Sequence, residues 1–180
     1  MKKFVVILSL IIAIVSCKSE LTQTRLGAIK SLQAQVDSSA IMFQTIDIAK
    51  IKDYKTNAKT QLDFLEKNNH DTIFDHLKYI DVYYANFKLM RKLVKGHERL
   101  AAEIEFSTSQ LTHLYNDVEN GFSGDSNYVK HFDSESKAVS KIVNSTAVLK
   151  DWEERTVKRY NGMVAPIDSI ILVQQNLGYR

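Results

Sequence analysis

The chain has 180 residues, and its 24 basic against 21 acidic side chains give a formal net charge of +3. Lys2 and Lys3 belong to a segment that we predict to be cleaved, which leaves 22 basic against 21 acidic residues in the mature chain. This near-neutral balance argues against a nucleic-acid-binding protein, which needs a concentrated basic surface. A single cysteine excludes an intramolecular disulfide framework, and the length suits one domain with its own core.

The N-terminal segment joins a short basic start to an apolar run. Lys2 and Lys3 precede residues 4–15, which are apolar except for Ser9. Because a membrane-spanning helix needs about 20 apolar residues, this run predicts a signal peptide over residues 1–16 and not a permanent span. The segment closes with Ile14-Val15-Ser16-Cys17. This ending resembles the lipobox of bacterial lipoproteins.

The lipoprotein resemblance implies cleavage before Cys17 and lipidation of that cysteine. More than one acyl chain makes such an anchor stable. Lys18 is not the aspartate that retains enteric lipoproteins at the inner membrane, so the resemblance favours the outer membrane, on its periplasmic or surface-exposed face. The run Lys18-Ser19-Glu20, with its one acid, also resembles the surface-export tether of Bacteroidota lipoproteins. The alternative is a secretory signal in which Cys17 is not modified.

Turn-forming residues are scarce in the rest of the chain, which contains six glycines and one proline. Neither type occurs between Gly27 and Gly96, and the apolar residues there recur at helical spacing, which predicts long helices. The first long helix ends before the polar cluster at residues 68–71. The stripe shifts slightly in phase between Thr45 and Asp47. A kink or tight turn there is an alternative, although no turn former supports it. The stripe consists of Leu26, Ile29, Val36, Ala40 and Phe43, followed by Ile48, Ile51, Tyr54, Ala58, Leu62 and Leu65.

A second long helix follows the polar cluster at residues 68–71, where Asp71 is a candidate helix cap. Its apolar stripe continues past Gly96 to Val118, and the turn formers of residues 120–127 end it. Gly96 costs a helix interior at most about 1 kcal/mol, so we expect a kink there. A competing architecture has true turns at Gly96 and between Thr45 and Asp47, which gives shorter helices.

The third helix carries a stripe from Tyr128 to Tyr160, and we expect Gly162 to end it. Pro166 then begins a short C-terminal helix that Gly178 closes. The predicted fold is all-α: an elongated up-and-down antiparallel helical bundle of three long helices plus a short C-terminal helix, with coiled-coil character. The domain plan is a signal peptide over residues 1–16, a lipidated cysteine and short tether over residues 17–21, and a single bundle over residues 22–180.

Candidate chemical sites are few. Ser134 and Lys137 form an S-x-x-K pair, but the S-D-N and K-T-G elements of penicillin-recognising enzymes do not occur. We therefore predict no catalytic site, no cofactor and no metal centre. One polar cluster contains residue types that can bind metal ions, but helix capping and a solvated surface explain it better. The cluster comprises His70, Asp71, Asp75 and His76.

The second predicted helix carries an aromatic-rich segment that is too wide for one buried stripe. Some of its rings are therefore candidates for contact with a ligand or a partner protein, since amphipathic aromatic residues are enriched at interfaces. Core packing of most of them is the alternative. The segment comprises Tyr79, Tyr83, Tyr84 and Phe87.

A basic stripe follows the aromatic segment on the same helix. Its spacing gathers most of the charges on one side, where they would suit an acidic partner, a lipid headgroup or lipopolysaccharide phosphate. The alternative is a solvated face that Glu98, Glu103 and Glu105 neutralise. The basic stripe comprises Lys88, Arg91, Lys92, Lys95 and Arg99.

Three functional hypotheses remain. The leading one is a lipid-anchored cell-envelope protein that acts as a non-enzymatic binding, scaffold or assembly module with an envelope protein partner. The second is a sensory or small-ligand-binding bundle with a cavity around the tyrosines. The third is an enzyme using Ser134 and Lys137, which requires that pair to lie in a pocket. Coiled-coil faces are compatible with a monomer or with self-association.

Overall fold

The computed structural model describes residues 20–68 and 77–178, and within these ranges the chain is helical with no strand. The predicted all-α bundle is confirmed at this level. The side chain of Leu77 is not described, and Cys17 and the cluster of His70, Asp71, Asp75 and His76 lie outside the described residues. The helices are α1 (Glu20–Gln44), α2 (Ile48–Lys67), α3 (Leu77–Glu119) and α4 (Asp125–Asn176).

The two longest helices, α3 and α4, pair as an antiparallel hairpin and make the most extensive contact in the bundle. The Glu103 carboxylate on α3 accepts from Lys141 Nζ on α4 at 2.8 Å. Nearer the start of α3, Asn86 Nδ2 donates to the Thr156 carbonyl at 3.2 Å. The 52 residues of α4 extend about 78 Å at 1.5 Å per residue, so the bundle is elongated.

The other two helices, α1 and α2, follow one another along this hairpin, and each contacts both α3 and α4. At the beginning of α1, Arg25 pairs with Asp125 at 2.7 Å. Near the end of α2, Gln61 Nε2 donates to Asp168 Oδ1 at 2.6 Å. Residue numbers rise together in these pairs, so α1 and α2 run parallel to α4. The bundle therefore has three passes, and two shorter helices form the first.

The junction between α1 and α2 corrects the prediction of one long first helix and supports the alternative of a turn between Thr45 and Asp47. Asp47 caps α2 because its carboxylate accepts the Lys50 amide at 3.0 Å. Ile46 lies in the turn with 5% of its surface exposed and anchors it in the core. Capping and burial thus replace the missing glycine or proline.

Side chains from α4 complete the same junction. The Asp47 amide donates to Glu153 Oε1 at 3.2 Å, while Lys150 Nζ donates to Glu153 Oε2 at 2.7 Å and to the Thr45 carbonyl at 3.4 Å. The bond to Glu153 raises the pKa of Lys150. Both helix ends at the junction therefore gain a hydrogen-bond partner from a helix that is distant in sequence.

The prediction of a separate C-terminal helix is wrong, because α4 continues through Gly162 and Pro166. Tyr160, Ile167 and Ile170 are all buried, so the apolar stripe stays in phase across the proline. Pro166 lies on the exposed face, where the carbonyl that loses its amide partner is close to water. Core burial on the opposite face outweighs this local cost.

No turn occurs at Gly96, which lies inside continuous α3. A Cβ at this position would lie 3.1 Å from Leu149 Cδ2 on α4. The glycine therefore serves close packing between α3 and α4, and the competing architecture is wrong at this position.

The buried apolar residues form two clusters, one on each side of the α1–α2 junction. The first joins α1 to the end of α3 and the start of α4, and the second joins α2 to the remaining parts of both long helices. The first contains Leu26, Ile29, Leu32, Val36, Leu111, Leu114, Val118, Tyr128 and Val139. The second includes Ile51, Ala58, Leu65, Tyr83, Met90, Leu93, Leu100, Ile142, Leu149, Tyr160 and Ile167.

His97 on α3 lies against the end of α1, where its ring stacks on Phe43 with the ring centroids 4.1 Å apart. Partial burial lowers the pKa of His97, and the nearby Lys52 lowers it further while Glu98 acts in the opposite direction. The folded protein consequently favours the neutral imidazole.

We predict that Glu153→Ala lowers the free energy of unfolding by about 1–3 kcal/mol, because it removes the partner of the Asp47 amide and of Lys150. Urea unfolding followed by circular dichroism measures this loss. Glu154→Ala is the matched control, since its side chain is 67% exposed and lies 3.8 Å from Lys150. Equal losses in the two variants would contradict the proposed role of Glu153.

We also predict that acid weakens the protein partly through His97. The unfolded chain takes up a proton on His97 near pH 6.5, whereas the folded chain does so only at lower pH. The stabilisation is therefore fully present above pH 6.5 and is lost as the pH falls toward the lowered pKa. His97→Phe keeps the stacked ring, so its free energy of unfolding should fall less between pH 7 and pH 5 than that of the wild type. His113→Gln, on the exposed face of α3, is the matched control, and an equal change of pH dependence in both variants would contradict the role of His97.

Candidate functional site

The basic stripe lies on the exposed face of α3, as its helical spacing predicts. All five side chains are exposed. Lys88 Nζ lies 4.2 Å above the Tyr84 ring, and Arg91, Lys92 and Lys95 make no ion pair within the described part of the chain. The stripe is therefore available to an anion along about three turns of helix.

Neutralisation of the stripe is partial. Among the three expected acids, only Glu103 forms an ion pair with it, at 3.8 Å from Arg99 Nε, within the ranges that the structure covers. Glu103 lies closer to Lys141 of α4, at 2.8 Å. The Glu103 carboxylate is thus shared with another cation, and the solvated-face interpretation explains only one end of the stripe.

The inner edge of the stripe borders a groove between α3 and α4 of about 460 Å³. Pockets for small ligands typically enclose about 300–1,000 Å³, so the groove has the size of a ligand site. Both helices contribute to its walls. The lining residues are Lys92, Lys95, Gly96, Arg99, Leu100 and Glu103 from α3 and Asn144, Ser145, Val148, Leu149 and Trp152 from α4.

Packing at Gly96 explains the shape of this groove. Without a side chain at Gly96, Leu149 approaches the α3 backbone and forms an apolar floor with Leu100. Trp152 and Val148 extend the apolar wall on α4, and Val148 is 45% exposed. The α3 side of the groove is therefore cationic, and the α4 side combines its apolar residues with the polar Asn144 and Ser145.

The groove carries a positive charge. Lys92, Lys95 and Arg99 contribute three cations, while Glu103 is the single acid in its lining. Charged groups beside an apolar wall attract counterions more strongly than isolated surface charges do. This arrangement suits a ligand that has both an anionic group and an apolar part.

The aromatic segment is divided between the core and the surface. Tyr83 is 1% exposed, its hydroxyl donates to Gln61 Oε1, and its ring lies 6.0 Å from that of Tyr160. Burial, with Tyr160 and Asp168 nearby, raises the pKa of Tyr83 far above its usual range. Tyr83 is therefore a core residue whose hydroxyl is already engaged.

The remaining members face outward or are half-buried. Tyr79 is 51% and Tyr84 is 46% exposed, whereas Phe87 is half-buried with its ring 6.4 Å from that of Tyr84. Tyr79 borders a separate shallow groove that includes Pro166. The structure does not bring the four aromatic residues together around one cavity.

The S-x-x-K pair is on the solvent face of α4, where both Ser134 and Lys137 are exposed. This position does not meet the requirement of a pocket that the enzyme hypothesis made. Among the described residues, no three His, Cys, Asp or Glu side chains are grouped closely enough to hold a metal ion.

Sequence reasoning missed the α4 side of the groove. Val148 and Trp152 are four residues apart and flank the buried Leu149, so a second apolar stripe beside the core stripe was visible in the sequence. Only the pairing of α3 with α4 shows that this stripe lies opposite Lys95 and Arg99.

Comparisons of the chain with protein-family models, with curated proteins and with solved structures found no match. A search for membrane spans over residues 20–68 and 77–178 found no helix with a long enough apolar stretch.

Proposed function

We propose that the protein is a lipid-anchored component of the bacterial cell envelope, held at the outer membrane through Cys17, and that it acts as a non-enzymatic binding module. The lipobox-like ending at Cys17 supports the anchor. The described bundle begins at Glu20, so only a short tether separates it from the proposed lipid. The bundle then stands close to the membrane with its long faces available for binding.

The groove between α3 and α4 carries the proposal about what is bound. Its apolar floor of Leu100 and Leu149 lies beside Lys95 and Arg99, and this combination favours an amphipathic anion. Such a molecule places its carboxylate or phosphate against the cations and its hydrocarbon part along the floor toward Trp152. The volume of about 460 Å³ suits a small ligand better than a protein segment. The proposed small-ligand site is therefore the groove and not the surroundings of the tyrosines.

A protein partner is the second candidate, and a different surface favours it. Lys88 and Arg91 lie outside the groove lining, and Lys88 Nζ lies over the ring of the exposed Tyr84. Aromatic and arginine side chains are enriched in protein interfaces, so this patch suits an envelope protein with an acidic surface. Coiled-coil character of the helix seams, and self-association through them, stay predictions from the apolar spacing.

We predict that the mature protein isolated from membranes begins with an acylated Cys17, because the preceding residues resemble a lipobox. Mass spectrometry of the N-terminal peptide measures this modification. Cys17→Ala should prevent cleavage of the signal peptide by the lipoprotein route. If another peptidase removes the signal peptide, the protein should be absent from the outer-membrane fraction. Ser16→Ala is the control, since it keeps a small residue before the cysteine. An unmodified Cys17 at the N-terminus of the mature wild-type chain would contradict the proposed lipid anchor.

We further predict that dodecanoate changes the fluorescence of Trp152, the single tryptophan of the chain, because the ligand's hydrocarbon part would contact the indole. The mature chain carrying Cys17→Ala is the protein to titrate, since it has no acyl chain of its own. Dodecyltrimethylammonium, with the same chain length and the opposite charge, should give no saturable change.

Charge-reversal variants distinguish dodecanoate binding in the groove from nonspecific hydrophobic binding elsewhere on the protein. Lys95→Glu should weaken dodecanoate binding at least tenfold, which corresponds to about 1.4 kcal/mol. Lys137→Glu makes the same change of charge on the exposed face of α4, outside the groove, and should have little effect. Equal responses to both detergents, or equal losses in both variants, would contradict the proposed site.

A further inference from the structure

The loop between α3 and α4 presents an aromatic side chain to solvent at the end of the bundle where α1 begins. Phe122 is 79% exposed, a larger fraction than for any other large apolar side chain in the described ranges. Leu21 on α1 and Val129 on α4, both within five residues of a helix start, are each 54% exposed. Three chain segments therefore contribute exposed apolar side chains to one end.

The backbone of this loop is ordered by hydrogen bonds. Gly121 has a φ of 75° and ends α3 in the left-handed conformation, and the Phe122 amide donates to the Asp117 carbonyl at 2.8 Å. In this type of helix ending the residue after the glycine frequently packs back onto the helix. Phe122 instead faces solvent, so the loop holds its ring outward without using it in the core.

Contacts between α1 and α4 fix the position of the loop relative to the start of the bundle. The Arg25 guanidinium pairs with Asp125 at 2.7 Å and lies 4.5 Å from the centre of the Tyr128 ring. Asp125 follows Phe122 by three residues. The loop is consequently tied to the first turns of α1.

This end is also where the proposed anchor attaches. Cys17 precedes Glu20 by three residues, and a fully extended chain covers at most about 3.6 Å per residue. The start of α1 thus lies within about 11 Å of an acylated Cys17. An aromatic side chain held at this end is within reach of the interfacial layer of the bilayer, where aromatic residues are favoured.

We infer that this end of the bundle is a second membrane contact, in which Phe122 inserts into the lipid interface next to the lipidated cysteine, with Leu21 and Val129 beside it. The inference rests on the proposed lipid anchor and adds the orientation of the bundle, whose long axis points away from the membrane. The partner that this apolar surface binds is a lipid bilayer.

The charges at this end of the bundle indicate which force drives the membrane contact. Carboxylates are present on all three segments, and Asp125 forms an ion pair with Arg25. The basic residues of the same segments are Lys18, Arg25 and Lys130, so the four carboxylates leave this end without a basic excess. Attraction to anionic headgroups therefore contributes little, and apolar insertion is the driving force. A contact of this kind is insensitive to salt, unlike one made by basic residues. The carboxylates belong to Glu20, Asp117, Glu119 and Asp125.

Spin labelling of the acylated full-length protein in zwitterionic phosphatidylcholine vesicles tests the inference. Acylation consumes the single native cysteine, so Phe122→Cys supplies the only thiol for a nitroxide. We expect the label to be accessible to oxygen, which concentrates in lipid, and shielded from a water-soluble nickel chelate, at both low and high salt. A label at Leu21→Cys on α1 provides a second measurement that does not depend on the loop.

Phe106→Cys is the matched control, because Phe106 is also an exposed phenylalanine, at 64%, but lies along the side of α3. Its label should be accessible to the nickel chelate. Lipid exposure at all three sites would show that the bundle lies along the membrane, and exposure at none would show that it stands clear; both results overturn the end-on contact while the anchor stands. A mass spectrum without acylation at Cys17 would overturn the anchor and this inference together.

Discussion

At the junction between α1 and α2, two helix ends meet on the side of the bundle, and their backbone groups need partners there. Glu153 accepts the Asp47 amide and Lys150 donates to the Thr45 carbonyl, so α4 supplies both partners. Glu153 is buried whereas Lys150 is partly exposed, and a buried carboxylate is costly unless hydrogen bonds support it, as Lys150 and the Asp47 amide do here. The two core clusters lie on either side of the junction, so the alignment of α1 and α2 along α4 depends on it.

In the long hairpin of α3 and α4, the residues that pack the two helices together also form the candidate binding groove. Gly96 permits Leu149 to approach the α3 backbone, and the same approach leaves a depression bordered by the neighbouring cations. Core packing and the candidate site therefore share residues. Lys95 and Arg99 are adjacent to the depression because they lie one position before and three positions after Gly96 on the helix.

Much of the architecture could be predicted from the apolar spacing, since Leu26, Ile29, Ile51 and Leu65 are all buried as the stripe requires. The end of α3 and the start of α4 were also predictable from clustered turn formers. Local signals failed where tertiary contacts decide: Pro166 lies inside a helix because its buried neighbours remain in phase. The exposed basic stripe followed from spacing, whereas the groove depends on the pairing of two distant segments, which no local pattern specifies.

Three is an odd number of passes, and this parity determines where the described chain enters and leaves the bundle. α1 begins at one pole and α4 ends at the other, after 52 residues that cover about 78 Å. A two- or four-pass bundle of the same helices would bring both ends to one pole. A single continuous helix thus sets the length of the bundle, and Gly178 lies about one helix length from Leu21.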